Sequence, residues 1–167
     1  GGTLDAVSGT FALTGNMSNV GTVNMADGDT GDKVTVSGNF SGSGQVNIDV
    51  DTKANTSDQL AIAGNSSGTT KLAFTNLTPG EETGVTITDV VTVAGTSSAT
   101  DFSGSMLGGI YTYNLQYDAG DFNLVVTDTT IANGSTISSD RIIGNLTINT
   151  GGTLDAVSGT FALTGNM

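Results

Sequence analysis

Asp27, Asp29 and Asp32 fall in the run Asp27-Gly28-Asp29-Thr30-Gly31-Asp32, which spaces carboxylates two and three residues apart. Calcium takes about six to eight oxygens, often from several carboxylates, so these three aspartates are the candidate metal ligands. The EF-hand pattern fails, because no glutamate closes a twelve-residue loop. Gly1-Gly2-Thr3-Leu4-Asp5 also lacks the second glycine and the spacing of a glycine-rich calcium repeat. A solvated turn is the plainer reading of the 27–32 run.

Asp49-Val50-Asp51 would place two carboxylates on one face of a strand, with Val50 opposite and Asp58 a loop away. Paired carboxylates do the acid–base work of glycosidases when their separation is right and one pKa is raised. Nothing in the sequence argues that either is buried, and a structural hydrogen bond accounts for Asp58. The chain has no histidine and no cysteine, which rules out Ser-His-Asp and Cys-His catalysis and any disulfide. A polysaccharide lyase needs basic groups, yet the only ones are Lys33, Lys53, Lys71 and Arg141, scattered along the chain. No enzyme is expected, and no cofactor beyond the calcium candidate.

Tyr111, Tyr113 and Tyr117 alternate along one stretch, so a strand would project all three rings from one face. Such a face is a candidate grip for a sugar or a protein, since rings give large rigid contact area. It serves equally well as packing beneath a hairpin. Asn39-Phe40-Ser41, Asn65-Ser66-Ser67 and Asn145-Leu146-Thr147 fit the glycan-acceptor triplet, but a chain this rich in Asn, Ser and Thr generates such triplets by composition.

The elements that would carry these residues are short strands. Val34-Thr35-Val36, Val46-Asn47-Ile48, Leu60-Ala61-Ile62, Leu72-Ala73-Phe74, Val85-Thr86-Ile87, Val91-Thr92-Val93, Phe122-Asn123-Leu124, Leu146-Thr147-Ile148 and Phe161-Ala162-Leu163 all alternate apolar and polar. A period of two marks strands with one buried face. Gly, Asn, Asp or Ser breaks the runs, as at Asn16, Gly28, Gly31, Gly38, Gly64, Gly68 and Gly95, and only Pro79 is proline. No segment carries a 3.6-residue apolar stripe, so the fold class is all-β. Two architectures suit strands at this spacing: a β-sandwich or barrel, and a β-solenoid whose coils stack about 4.8 Å apart. The solenoid is favoured, with a more irregular or hairpin-containing cap region near 80–127. Coils of roughly 20 residues would give about seven in 150 residues. Val34, Val36, Val46, Ile48, Leu60, Ile62, Leu72 and Phe74 are the expected core.

Residues 1–17, GGTLDAVSGTFALTGNM, recur letter for letter as residues 151–167. The chain therefore reads as one unit, 1–150, followed by the start of the next identical unit, 151–167. Leu146-Thr147-Ile148 runs into Gly151 with no linker. Tandem arrays more often build extended scaffolds than enzymes, although an engineered overlap or a permuted chain would leave the same trace. The 16 acidic and 4 basic residues give a net charge of −12. That surface repels nucleic-acid phosphates and anionic membranes, so neither is an expected partner, and repeated along an array it keeps a fibre soluble. No stretch reads as an export signal or is apolar enough to span a bilayer, and a window from within a longer protein would lack both.

From about Gly31 to Val126 the chain resembles the C-terminal part of pertactin-like autotransporter passenger domains. The resemblance rests on Thr30-Gly31-Asp32-Lys33-Val34-Thr35-Val36-Ser37-Gly38-Asn39-Phe40, then Ser57-Asp58-Gln59-Leu60-Ala61-Ile62-Ala63-Gly64, Ser67-Gly68-Thr69-Thr70-Lys71-Leu72 and Gly109-Ile110-Tyr111-Thr112-Tyr113-Asn114-Leu115. It implies a right-handed parallel β-helix, secretion to a bacterial surface, and a region that acts as a stable folding core. Two features depart from the family. Phe122-Asn123-Leu124 stands where a Trp-Tyr-Leu-like strand is usual, and the chain returns through Ile131, Ile137 and Ile142-Ile143 to another coil opening. Together these readings lead to a structural, adhesive, acidic fibre outside a bacterial cell, whose first partner is a neighbouring copy of the unit, end to end. The alternative is an adhesin module binding a carbohydrate or receptor through the tyrosine face.

Overall fold

The structure, a computed structural model, describes residues 1–138 and 141–155. It is all-β among these residues, with parallel sheets consistent with a β-helix. The chain winds through three strands in turn and then returns beside the first. The first winding is β1 (Thr3–Asp5), β2 (Thr10–Leu13) and β3 (Met17–Asn19); the second is β4 (Thr22–Asn24), β5 (Lys33–Val36) and β6 (Phe40–Gly42). The third is β7 (Gln45–Asp51), β9 (Gln59–Ile62) and β10 (Ser66–Gly68), with β8 (Thr56–Ser57) folded back on β7 as a short hairpin. A fourth begins with β11 (Thr70–Asn76) and β12 (Ile87–Val93).

Corresponding strands pair in parallel and in register. Leu4, Val23, Val46 and Leu72 form one column, and Phe11, Val34, Leu60 and Val91 form another. A strand that alternates residue types places one set inward in every winding, so apolar side chains stack on apolar ones and build one core. Val23, Val34, Val46, Leu60 and Leu72 are essentially inaccessible to solvent. Seven of the eight expected core residues are buried; Phe74 is half-buried and packs against the core from its edge. The Val85 expectation also fails, because Val85 is exposed and the strand starts at Ile87.

The windings are unequal, and only the first is as short as the coil expected. Thr3 pairs with Thr22, Thr22 with Gln45, and Gln45 with Lys71, so successive windings take 19, 23 and 26 residues. Loops at 25–32, 52–58 and 77–86 absorb the extra length between the first two strands of each winding.

Parallel winding then gives way to an antiparallel region. After β13 (Phe102–Ser103), strands β14 (Ser105–Gly108), β15 (Tyr111–Asp118) and β16 (Asp121–Ile131) form a meander, and β16 lies antiparallel to β12. The hairpin-containing region expected near 80–127 thus falls on these strands. Stacked aromatic rings seal the junction: Phe40 and Phe102 have centroids 5.7 Å apart, and Phe102 meets Phe122 edge-on at 4.9 Å. Beyond it the chain winds in parallel again. β17 (Thr136–Ser138) pairs with β19 (Thr153–Asp155), and β18 (Asn145–Ile148) pairs with the end of β16. Of the second copy of the repeated segment, residues 151–155 are described; the strand expected at Phe161-Ala162-Leu163 lies outside the described residues.

Candidate functional site

Two corners of each winding are held by side chains that reach from one winding to another. At the first, a Gly-Asn pair recurs at Gly15-Asn16, Gly38-Asn39 and Gly64-Asn65, just after β2, β5 and β9. The Asn16 side-chain oxygen accepts from the Asn39 amide at 2.8 Å, Asn39 from the Asn65 amide at 2.9 Å, and Asn65 from the Thr96 amide at 2.8 Å. A turn amide that no strand partner can reach is thereby satisfied in each winding. The glycine is required by close approach: a Cβ on Gly64 would lie 2.6 Å from the Gly38 carbonyl oxygen. In the sequence Asn16, Gly38, Gly64 and Gly95 read only as breaks, although Gly-Asn recurring two residues after the last apolar residue of a strand is a visible stacking signal.

The second corner is acidic before β5 and β9, while Gly9 holds the equivalent position before β2. Asp32 and Asp58 occupy equivalent positions immediately ahead of β5 and β9. Asp32 Oδ1 accepts from the Gly9 amide at 2.6 Å, while Asp58 Oδ1 accepts from the Gly31 and Asp32 amides at 3.1 Å. The other Asp58 oxygen accepts from the Asp49 amide at 2.7 Å, and Asp49 Oδ2 accepts from the Asp27 and Gly28 amides at 2.8 and 2.6 Å. Asp49 and Asp58 are fully buried and Asp32 nearly so. Burial pushes the Asp58 carboxyl up to about 6, with the Asp49 charge adding to the rise, while the three amide bonds pull the other way. One oxygen each of Asp32 and Asp49 is buried without a hydrogen-bond partner among the described residues.

This arrangement corrects the sequence reading of Asp49. Nothing in the sequence argues for its burial, yet the 25–32 loop folds over β7 and encloses it. Asp51 is only half-buried and caps the next turn, accepting from the Lys53 and Ala54 amides at 2.9 and 2.8 Å and from the Thr78 hydroxyl at 2.8 Å. Those bonds hold its carboxyl below the usual range. The two aspartates therefore serve separate turns rather than one site.

The three candidate calcium ligands are likewise distributed. Asp27 accepts from the Asp29 amide at 3.1 Å, Asp29 from the Thr30 amide at 2.9 Å, and Asp32 faces Gly9 in the winding before. Among the described residues no three acidic side chains gather closely enough to hold a metal ion.

The tyrosines do not present one open face. Tyr111 and Tyr113 are buried, with rings edge-to-face at 6.4 Å, and the Tyr111 hydroxyl donates to the Arg141 carbonyl at 2.9 Å. Burial pushes the Tyr113 hydroxyl pKa up. Tyr117 alone is exposed, leaning on Phe122 at 5.1 Å and bonding Ser97. The face disappears because the 77–86 loop and the return to Ile143 cover the start of β15.

On the outer face of the second sheet, Ala12, Thr35, Ala61 and Thr92 stack in register and floor a shallow groove of about 620 Å³, with Lys33 and Asp121 at its rim. It holds no nucleophile paired with a base.

Comparison with known proteins agrees with this framework. The pertactin family profile matches residues 12–127, which run from the end of β2 through the following windings and most of the antiparallel meander. The chain belongs to the pertactin family. It is also similar to the uncharacterized protein YuaQ of Escherichia coli strain K12, with 27% identity over 114 residues, covering 65% of this chain and 8% of that protein. The chain thus spans under a tenth of that relative's length. Pertactin domains belong to secreted or surface passenger proteins, which suggests an extracellular setting.

Proposed function

We propose that the chain is a structural segment of a bacterial surface protein, in which tandem units continue one right-handed β-solenoid and form an extended acidic fibre with an adhesive role and no catalytic one. The observation that carries this reading is the β17–β19 pairing. The opening of the second copy, Thr153–Asp155, lies in parallel register on Thr136–Ser138 with no linker between units. Backbone ladders then bear the load along the axis, and the polar outward columns meet solvent. Thr22, Gln45 and Lys71 stack outward, as do Asn24 and Asn47, whose amides bond at 3.0 Å. The net negative charge keeps neighbouring fibres apart.

Electron microscopy of polypeptides holding one, two and four units provides the test. Contour length should rise in proportion to unit number at constant width, and cells displaying four units should adhere better than cells displaying one. Separate beads, or a length independent of unit number, would overturn the fibre; equal adherence would remove the adhesive role.

A second reading, an adhesin module with a defined ligand, draws on the shallow groove rather than on the tyrosines. Substituting Ala61 with Glu should then abolish binding to a glycan or receptor while leaving the fold intact.

A further inference from the structure

The repeated opening Gly-Gly-Thr-Leu-Asp has the same sequence in two places but opposite neighbours. In the first copy, β1 pairs with the winding that follows, Thr3 to Thr22, Leu4 to Val23 and Asp5 to Asn24. In the second, β19 pairs with the winding that precedes, Thr153 to Thr136, Leu154 to Ile137 and Asp155 to Ser138. Among the described residues no strand lies on the preceding edge of β1 or on the following edge of β19.

The amide bonds of the two copies are complementary. The Ala6 amide donates to the Asn24 carbonyl at 2.8 Å, and the Thr22 amide donates to Gly2 at 3.0 Å; the Thr153 amide donates backwards to Ser135 at 2.8 Å. Alternate amides of a strand point to opposite neighbours, so Leu4 and Ala6 serve the winding ahead, and Thr3 and Asp5 serve the winding behind. The glycine fits both sides. A Cβ on Gly1 would lie 2.7 Å from the Gly21 Cα, and one on Gly151, whose φ is 82°, would lie 2.1 Å from the Asn133 side-chain oxygen. The apolar column also continues: Ile137 is buried against Leu154, and Leu4, the same residue in the first copy, is half-exposed above Val23.

We infer that this opening is a splice strand that docks a second copy of the unit. Its preceding edge takes Thr136–Ser138 of one copy while its following edge takes Thr22–Asn24 of the next. One copy of the segment satisfies both edges, so head and tail of two chains are interchangeable at the joint. The inference rests on the end-to-end reading above and identifies the strand that makes the contact. Unpaired edges are the usual template for such association.

The test uses the full chain with Leu4→Pro, which removes an amide that β1 donates forward and frees the Thr22–Asn24 edge. This variant should sediment as concentration-dependent oligomers, because residues 151–155 of one molecule pair with 22–24 of another. A synthetic peptide of residues 1–17 should dissociate them, and the same peptide carrying Leu4→Pro should not. Hydrogen exchange at Val34 and Leu60 reports whether the variant remains folded. A folded monomer, or oligomers indifferent to the peptide, would overturn the inference. Should the variant unfold, the milder Leu4→Asp, which loosens β1 over Val23 without removing an amide, takes its place; capture of this chain by the biotinylated 1–17 peptide, competed by free peptide, supports the joint, and no capture by the folded chain overturns it. Fibres that lengthen with unit number while the folded variant stays monomeric would leave the end-to-end reading standing and remove only this joint.

Discussion

The two corners of the winding solve the same problem in opposite chemistry. Both must satisfy turn amides that the sheet ladders cannot reach. The Gly-Asn corner does so with neutral side chains that reach forward, Asn16 to Asn39 to Asn65 to Thr96. The acidic corner does so with carboxylates that reach back, Asp32 to Gly9 and Asp58 to Gly31 and Asp32. The forward ladder is exposed and uniform, one bond per winding. The backward one is buried, and Asp49 joins it from the strand itself. An exposed neutral ladder is modular and costs little to extend. A buried acidic corner ties particular windings together and makes them sensitive to protons.

The largest effect should come from breaking the neutral corner sterically. Gly64→Val drives a side chain into the Gly38 carbonyl and should cost several kcal/mol, about 3 or more, with loss of cooperative melting. Asp49→Ala comes next. It leaves the Asp27 and Gly28 amides without their acceptor inside the fold, and a cost of about 2–4 kcal/mol in urea unfolding is expected.

The pH response separates the corners. The folded Asp58 carboxyl titrates near 6 against an ordinary value of 3.8, so the folded state binds this proton more tightly than the unfolded chain does. Stability should therefore rise as pH falls from 7 through 6 towards 4, by up to roughly 3 kcal/mol from this group. Below about pH 4 the trend should reverse, because Asp51 and Asp128 have lowered values and lose their native bonds on protonation. Asp58→Asn should flatten the rise between pH 7 and 4; an unchanged profile would show that Asp58 does not control it. The smallest effect is expected for Asn39→Ala, about 1 kcal/mol, since the freed Asn65 amide lies at the exposed corner where water replaces the bond.

The same contrast explains what was legible in the sequence. Period-two alternation at Val34, Leu60 and Leu72 marks inward columns, because in-register stacking forces the same residue class into every winding. The Gly-Asn corner recurs at nearly constant distance from a strand end, so its signal was present at Asn16, Gly38 and Gly64 even though its bonding was not read. The acidic corner was hidden. Asp49 alternates with Val50 as a solvent-facing residue would, and only the insertion at 25–32 turns that outer face into an interior. For the tyrosines the packing reading fits Tyr111 and Tyr113, and what the alternation on β15 could not reveal is the cover itself, which comes from residues about 30 positions away in either direction. Coil length was misjudged because loops of different size leave the strand register unchanged.

The claim beneath all of this is that successive windings stack in parallel across the boundary between units. Amide hydrogen exchange on the full chain tests it at two identical residues. The Thr153 amide, bonded to Ser135, should exchange slowly, and the Thr3 amide, which faces no strand among the described residues, should exchange at least about tenfold faster. Equal, fast exchange at both would mean that the second copy does not stack on the first unit, and the account would fail.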